Sequence, residues 1–228
     1  MCNIDYVFQK SKISSALISL LVLLTASLPL HADNAPVNIT AELAHVDTLH
    51  GGKSVRIMRN QNTDNTLPET YARTSRPCPP FCIQPMRIAV GVETIGELEL
   101  LDYLRRIGNK DDSLRVIDSR EANWVANGMI PGAIQIPWTA LHPSRTSPED
   151  IASLLQFEFG AIPNGPVWDF NSAKTLVLYC NGAWCGQSPS SIRALLAVGY
   201  PVERIKWYRG GMQSWLQLGL TTVKPADN

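Results

Sequence analysis

The stretch Lys174-Thr175-Leu176-Val177-Leu178-Tyr179-Cys180-Asn181-Gly182-Ala183-Trp184-Cys185-Gly186-Gln187-Ser188-Pro189 decides the fold. The apolar run up to Tyr179 predicts a short buried strand, stopped by Cys180. Ser188 followed by Pro189 predicts a helix N-cap with proline at the first helical position. Ile192, Leu195 and Leu196 continue that helix at i, i+3, i+4, and Gly199 closes it. A strand, a loop bearing two thiols and a helix therefore follow one another within some 25 residues.

The same alternation extends on both sides. Leu114-Arg115-Val116-Ile117-Asp118 reads as a buried strand ending in a polar residue, Ile130 to Pro137 as a turn with a short strand, and Asp150 to Phe159 as a helix. A strand at Ile205 to Tyr208 leads through Gly210-Gly211 into a helix carrying Met212, Trp215 and Leu216. Upstream, Thr94-Ile95-Gly96-Glu97 has the spacing of a capping box, with a helix running to about Ile107. Strands alternating with helices predict an α/β fold with a central, largely parallel sheet flanked by helices.

The N-terminal part has a different texture. Lys10 and Lys12 precede an apolar run from Ile13 to Leu30, and Ala32 offers a small residue before a cleavage point, so residues 1–32 read as a secretory signal peptide. Polar interruptions at Ser14, Ser15, Ser19, Thr25 and Ser27 count against a permanent anchor, and no stable membrane insertion is expected after cleavage. The expected location is exported, in the periplasm. Residues 33–92 form an N-terminal extension: a β-hairpin over 36–60 turning at Gly51-Gly52, a polar loop over 60–76, and the proline-rich Arg76-Pro77-Cys78-Pro79-Pro80-Phe81-Cys82-Ile83-Gln84-Pro85. Residues 93–223 form the main domain and 224–228 a tail.

Composition narrows the function. The 228 residues carry 20 basic and 20 acidic side chains, and removal of the signal leaves 18 and 19, so no global field steers the chain to nucleic acid or an anionic membrane. Loss of Cys2 with the signal leaves two close pairs, Cys78 with Cys82 and Cys180 with Cys185. An exported compartment permits disulfides, and Cys78 with Cys82 is a disulfide candidate. Sequence alone does not choose among the pairings. His45, His50 and His142 are scattered without an i, i+4 partner, so no metal site is expected. Gly210-Gly211 lacks the spacing of a dinucleotide fingerprint, and no cofactor is expected.

In a parallel sheet the ligand crevice lies beyond the carboxyl ends of the strands, which is where Cys180 falls. If the following loop wraps the sulfur, its amides and the positive end of the next helix converge there and stabilise a thiolate without any charged side chain. Cys180 is thus the candidate nucleophile, and Cys185, in the same loop, a candidate resolving thiol.

Val116-Ile117-Asp118-Ser119-Arg120-Glu121, Gly128-Met129-Ile130-Pro131-Gly132-Ala133, Leu178-Tyr179-Cys180, Gly199-Tyr200 and Tyr208-Arg209-Gly210-Gly211-Met212-Gln213-Ser214-Trp215 occur in an order and spacing that resemble the rhodanese (sulfurtransferase) domain over residues 93–223. The resemblance implies a persulfide on Cys180, passed to a thiol or other nucleophile. Asn181, Gly182, Ala183, Trp184, Gly186 and Gln187, with Arg120, are the candidate substrate-binding residues, and the expected partner is a small sulfur-containing substrate or a protein thiol. The loop to Ser188 is longer than the family commonly shows, Gln187 stands where an arginine is common, and no Lys or Arg lies between Cys180 and Arg193. That absence also argues against phosphatase chemistry, which needs an arginine clamp on the phosphoryl oxygens. Two other function classes stay open: a thiol-disulfide redox protein or sensor using Cys180 and Cys185, and a catalytically inert rhodanese module used for binding.

Overall fold

The computed structural model describes residues 35–225. The signal-peptide expectation for residues 1–32 lies outside them, as does the end of the tail. Among the described residues no helix is long and apolar enough to cross a membrane.

The chain opens with an antiparallel hairpin, β1 (His45–His50) and β2 (Lys53–Met58), in register from His45 opposite Met58 to His50 opposite Lys53. Gly51 and Gly52 both take positive φ, the conformation a two-residue turn of this hand needs. The polar stretch predicted to be all loop contains one helical turn, α1 (Glu69–Ala72), which buries Tyr71. Elements β3 (Glu93–Ile95), α2 (Glu97–Gly108), β4 (Leu114–Asp118), α3 (Ala122–Val125) and β5 (Ile134–Gln135) follow. Next come α4 (Pro148–Ser153), continued by a π-helical turn at Leu154–Glu158, and a small hairpin, β6 (Ile162–Asn164) with β7 (Val167–Asp169). The chain then runs through β8 (Thr175–Tyr179), α5 (Gln187–Ala197), β9 (Ile205–Tyr208) and α6 (Gly211–Gln217).

The main sheet has the order β3-β9-β8-β4-β5, with every neighbouring pair parallel. Strand β8 is central, and its side chains alternate between two cores. Val177 and Tyr179 face one that includes α2 and α6, whereas Leu176 and Leu178 face another that includes Leu155, Ile192 and Leu195. Burial on both faces is why β8 reads as a continuous apolar run instead of an alternating one. The hairpin closes the first core: Val46 and Ile57 pack with Leu101 and Leu104, and Thr48 Oγ1 donates to the Leu104 carbonyl at 2.7 Å.

Two helix starts differ from the sequence reading. Thr94 is not an N-cap but lies in β3, paired with Trp207 of β9; the helix begins at Glu97, and the Gly96 N–H donates to Glu99 Oε2 at 3.0 Å. A spacing of three thus serves the pair Gly96 and Glu99, because residues 93–95 are drawn into the sheet edge. Helix α5 begins one residue before the predicted Ser188 cap, at Gln187, and Ser188 uses its hydroxyl elsewhere.

Candidate active site

Cys180 follows β8 directly, at the carboxyl end of the sheet's middle strand, and is 3% exposed. The loop after it is pinned from below by the turn into α6. Met212 N–H donates to the Cys180 carbonyl at 3.0 Å and Gln213 N–H to the Asn181 carbonyl at 2.9 Å. Gly211 makes this approach feasible: its φ is +55°, and a Cβ there would run into the Cys180 carbonyl oxygen and lie 2.7 Å from the Gly182 nitrogen. Gly210-Gly211 is therefore a close-packing device for the sulfur loop.

The donors around the sulfur can be assigned atom by atom. Trp207 Nε1 can only donate, and it does so to Ser188 Oγ at 3.1 Å; the Ser188 proton is then free for Cys180 Sγ, also 3.1 Å away. The backbone N–H groups of Ser188 and Gly182 and the thiol of Cys185 complete the set. Burial pushes the Cys180 thiol up, and these hydrogen bonds outweigh it, so that its pKa lies below the ordinary value. Each donor is neutral, so dipoles and the N-terminal end of α5 favour the thiolate form, while in the thiol form Sγ donates to the Cys185 carbonyl at 3.4 Å. Cys185, 4% exposed, is driven in the opposite direction by burial, by donating to Cys180 and by the charge there. Both cysteines are free thiols.

Arg120, a candidate for binding a substrate anion, does not serve that role in this arrangement. Its side chain is 1% exposed and forms an ion pair with the buried Asp118 at 2.6 Å. Nε donates to Asp118 Oδ1; Nη1 donates to the Tyr71 hydroxyl and the Trp124 carbonyl; Nη2 donates to Asp118 Oδ2 and the Gly128 carbonyl. All five donors of the guanidinium are spent. Arg120 instead shapes the site at one remove. Because it can only donate, Tyr71 accepts at 3.1 Å and must direct its own proton to Asn181 Oδ1, at 2.8 Å. Burial pushes the Tyr71 pKa up to about 12, so that proton stays in place. The Asn181 amide is thereby oriented with Nδ2 toward Cys185 Sγ, 3.9 Å away.

The other loop candidates are covered by the N-terminal extension. Cys78 and Cys82 are joined by a disulfide with their Cα atoms 4.6 Å apart, and the hoop they close presses Phe81 edge-on against Trp184, with ring centroids 5.6 Å apart. Arg76 stacks over Trp184 at 3.9 Å, and the Gln84 N–H donates to the Ala183 carbonyl at 2.8 Å. Arg209 fastens the strap by donating to the carbonyls of Gln84 and Pro85. Trp184 Nε1 donates to Gln213 Oε1, whose amide Nε2 donates to the Tyr71 carbonyl. Gly186 caps α5, and Gln187 Oε1 is the 3.8 Å neighbour of Cys185 Sγ. Sequence reasoning missed Tyr71, Arg76, Phe81 and Gln213 as site residues and took Ser188 for a cap alone. The available signal was a tyrosine and a phenylalanine in otherwise polar or proline-rich segments.

With that geometry established, comparison with known proteins places the chain. A family model, the rhodanese-like domain, matches residues 100–218, and the chain belongs to this family. Solved structures to which the chain is similar include a human single-domain sulfurtransferase, 23% identical over 55% of this chain and 96% of that one, with a TM-score of 0.37. A Saccharomyces cerevisiae single-domain sulfurtransferase is 19% identical over 56% and 91%, with a TM-score of 0.39. A thiosulfate sulfurtransferase from Pseudomonas aeruginosa is 17% identical over 58% and 20%, with a TM-score of 0.40. No curated protein matches the chain in sequence.

Proposed function

We propose that the mature chain is an exported sulfurtransferase in which Cys180 carries the sulfur. The Cys180 thiolate attacks the sulfane sulfur of a small donor. The bond to the rest of the donor breaks, that fragment leaves with the electron pair, and a persulfide remains on Cys180. A thiol or other nucleophile then attacks the outer sulfur and restores the thiolate. The observation that carries this reading is the set of neutral donors converging on Cys180 Sγ, with its pKa lowered despite burial. The same donors suit a persulfide, whose negative charge they can also receive. Because Arg120 is saturated and no cation lies in the loop, a small donor of low charge fits better than one that requires an arginine clamp. The disulfide in the strap supports the exported location, since such bonds persist in oxidising compartments.

The test is intact mass. Reduced protein offered several sulfane donors gains one sulfur atom in wild type and none in Cys180→Ser. If no donor adds sulfur to wild type, or if Cys180→Ser still takes it up, the proposal is wrong.

A further inference from the structure

The loop after β8 holds a second thiol that this transfer cycle leaves idle. Cys185 is buried, free and five residues beyond Cys180, and the loop folds back through a hydrogen bond from the Cys185 N–H to the Gly182 carbonyl at 2.9 Å. The fold-back brings Cys180 Sγ to the Cys185 carbonyl oxygen, to which it donates at 3.4 Å, and sets the Cys185 side chain close enough for the two thiols to shift each other's protonation. A purely apolar packing role would not need the polar frame around this residue. Asn181 Nδ2 faces the sulfur at 3.9 Å, in an orientation dictated through Tyr71 by Arg120, and Gln187 Oε1 lies 3.8 Å away to accept the thiol proton. The sulfur thus has a neutral hydrogen-bond acceptor on one side and a donor for its developing charge on the other.

We propose, resting on the persulfide reading above, that Cys185 is a resolving thiol that discharges the Cys180 persulfide as hydrogen sulfide. The Cys185 sulfur attacks Cys180 Sγ. The bond between Sγ and the outer sulfur breaks, and the outer sulfur leaves with the electron pair and takes up the proton Cys185 gives up. The products are one molecule of hydrogen sulfide and a Cys180–Cys185 disulfide. The two cysteine sulfurs together lose two electrons and the outer sulfur gains them, so this turnover needs no other oxidant. An external dithiol reductant then reopens the disulfide. The environment also times the step. In the resting site Cys185 is kept protonated by burial and by the neighbouring Cys180 thiolate, and charging Cys180 moves that negative charge one atom outward, which relieves the repulsion.

The experiment uses the full chain, reduced, charged with inorganic tetrasulfide, desalted and held without any added thiol. Intact mass, released sulfide and a peptide map are followed with time. In wild type the persulfide is replaced by a species two hydrogens lighter than the reduced protein, with Cys180 joined to Cys185 and sulfide released. In Cys185→Ser and in Cys185→Ala, which keeps a small apolar side chain, the added sulfur persists about ten-fold longer or more and little sulfide appears. Equal persulfide lifetimes in wild type and both variants would overturn the resolving role and leave sulfur transfer standing. Failure of wild type and of both variants to take up sulfur at all would overturn the persulfide reading and this proposal with it.

Discussion

The two cysteine pairs are close in spacing and opposite in state. Cys78 and Cys82, four apart, are bonded to each other in a proline-rich hoop at the surface. Cys180 and Cys185, five apart, are buried and free. The difference lies in what surrounds the sulfurs. Backbone of the hoop is stiffened by prolines and meets solvent, so the bond serves to hold a shape. The loop pair is framed by donors: the Ser188 hydroxyl and two backbone amides on one sulfur, the Asn181 amide near the other. Spacing therefore says little about whether two thiols form a staple or a reactive pair; their hydrogen-bonding environment decides it. The two regions also touch, because Phe81 and Arg76 of the hoop cover Trp184 of the loop.

The contrast predicts that damage to the buried ion pair and the glycine turn behind the loop costs more stability than damage to the hoop, and that loss of a single donor on sulfur costs less. Arg120→Met should have the largest effect, because it strands the Asp118 carboxylate, which is fully buried, without its partner. Denaturant melts should show a loss of about 3–5 kcal/mol. Gly211→Ala comes next: positive φ and the clash beneath Cys180 should cost at least about 2 kcal/mol and sharply reduce sulfur uptake. Opening the hoop with Cys78→Ser and Cys82→Ser together should cost roughly 2 kcal/mol on a chain-entropy account of so short a loop. The same double variant should leave sulfur uptake intact and make Cys180 alkylation faster, because the strap over Trp184 loosens. If alkylation stays unchanged, the strap does not govern access.

Ser188→Ala should have the smallest stability effect, about 1 kcal/mol, and the clearest chemical one. It removes a donor from the Cys180 sulfur and leaves Trp207 Nε1 without its acceptor. Thiolate reactivity near neutral pH should fall by up to about ten-fold, with the pH profile of alkylation displaced upward. A stability loss without any displacement would mean that Ser188 is a packing residue only.

Much of this architecture is legible in the sequence, for a physical reason. Strand β8 is buried on both faces and so appears as a short continuous apolar run, β4 and β9 are mostly apolar with one partly buried cation each, Arg115 and Lys206, and the thiol just after β8 falls at the sheet's carboxyl edge. What is not legible depends on distant partners. Tyr71 reaches Asn181 across 110 positions, and nothing near either residue announces the contact. Arg120 reads as an available cation until the burial of Asp118 and the carbonyls of Trp124 and Gly128 account for its donors. Ser188 satisfies the local pattern of a cap, and only the tertiary approach of Trp207 turns its hydroxyl toward sulfur. Local patterns mark where chains turn; the direction of a proton at the site depends on residues far away in sequence.

Neutral donors, with no cationic side chain among them, lower the pKa of Cys180 and favour its thiolate. The direct measurement is the pH dependence of Cys180 alkylation in a chain of residues 33–228 that keeps Cys185, followed on the Cys180 peptide by mass, and repeated with Arg76→Gln and Arg209→Gln added. The rate should rise with pH to a plateau, with its inflection below the ordinary thiol value of about 8.5, and the two arginine substitutions should leave that inflection in place. An inflection at or above the ordinary value, or one that moves upward when either arginine is removed, would contradict the account.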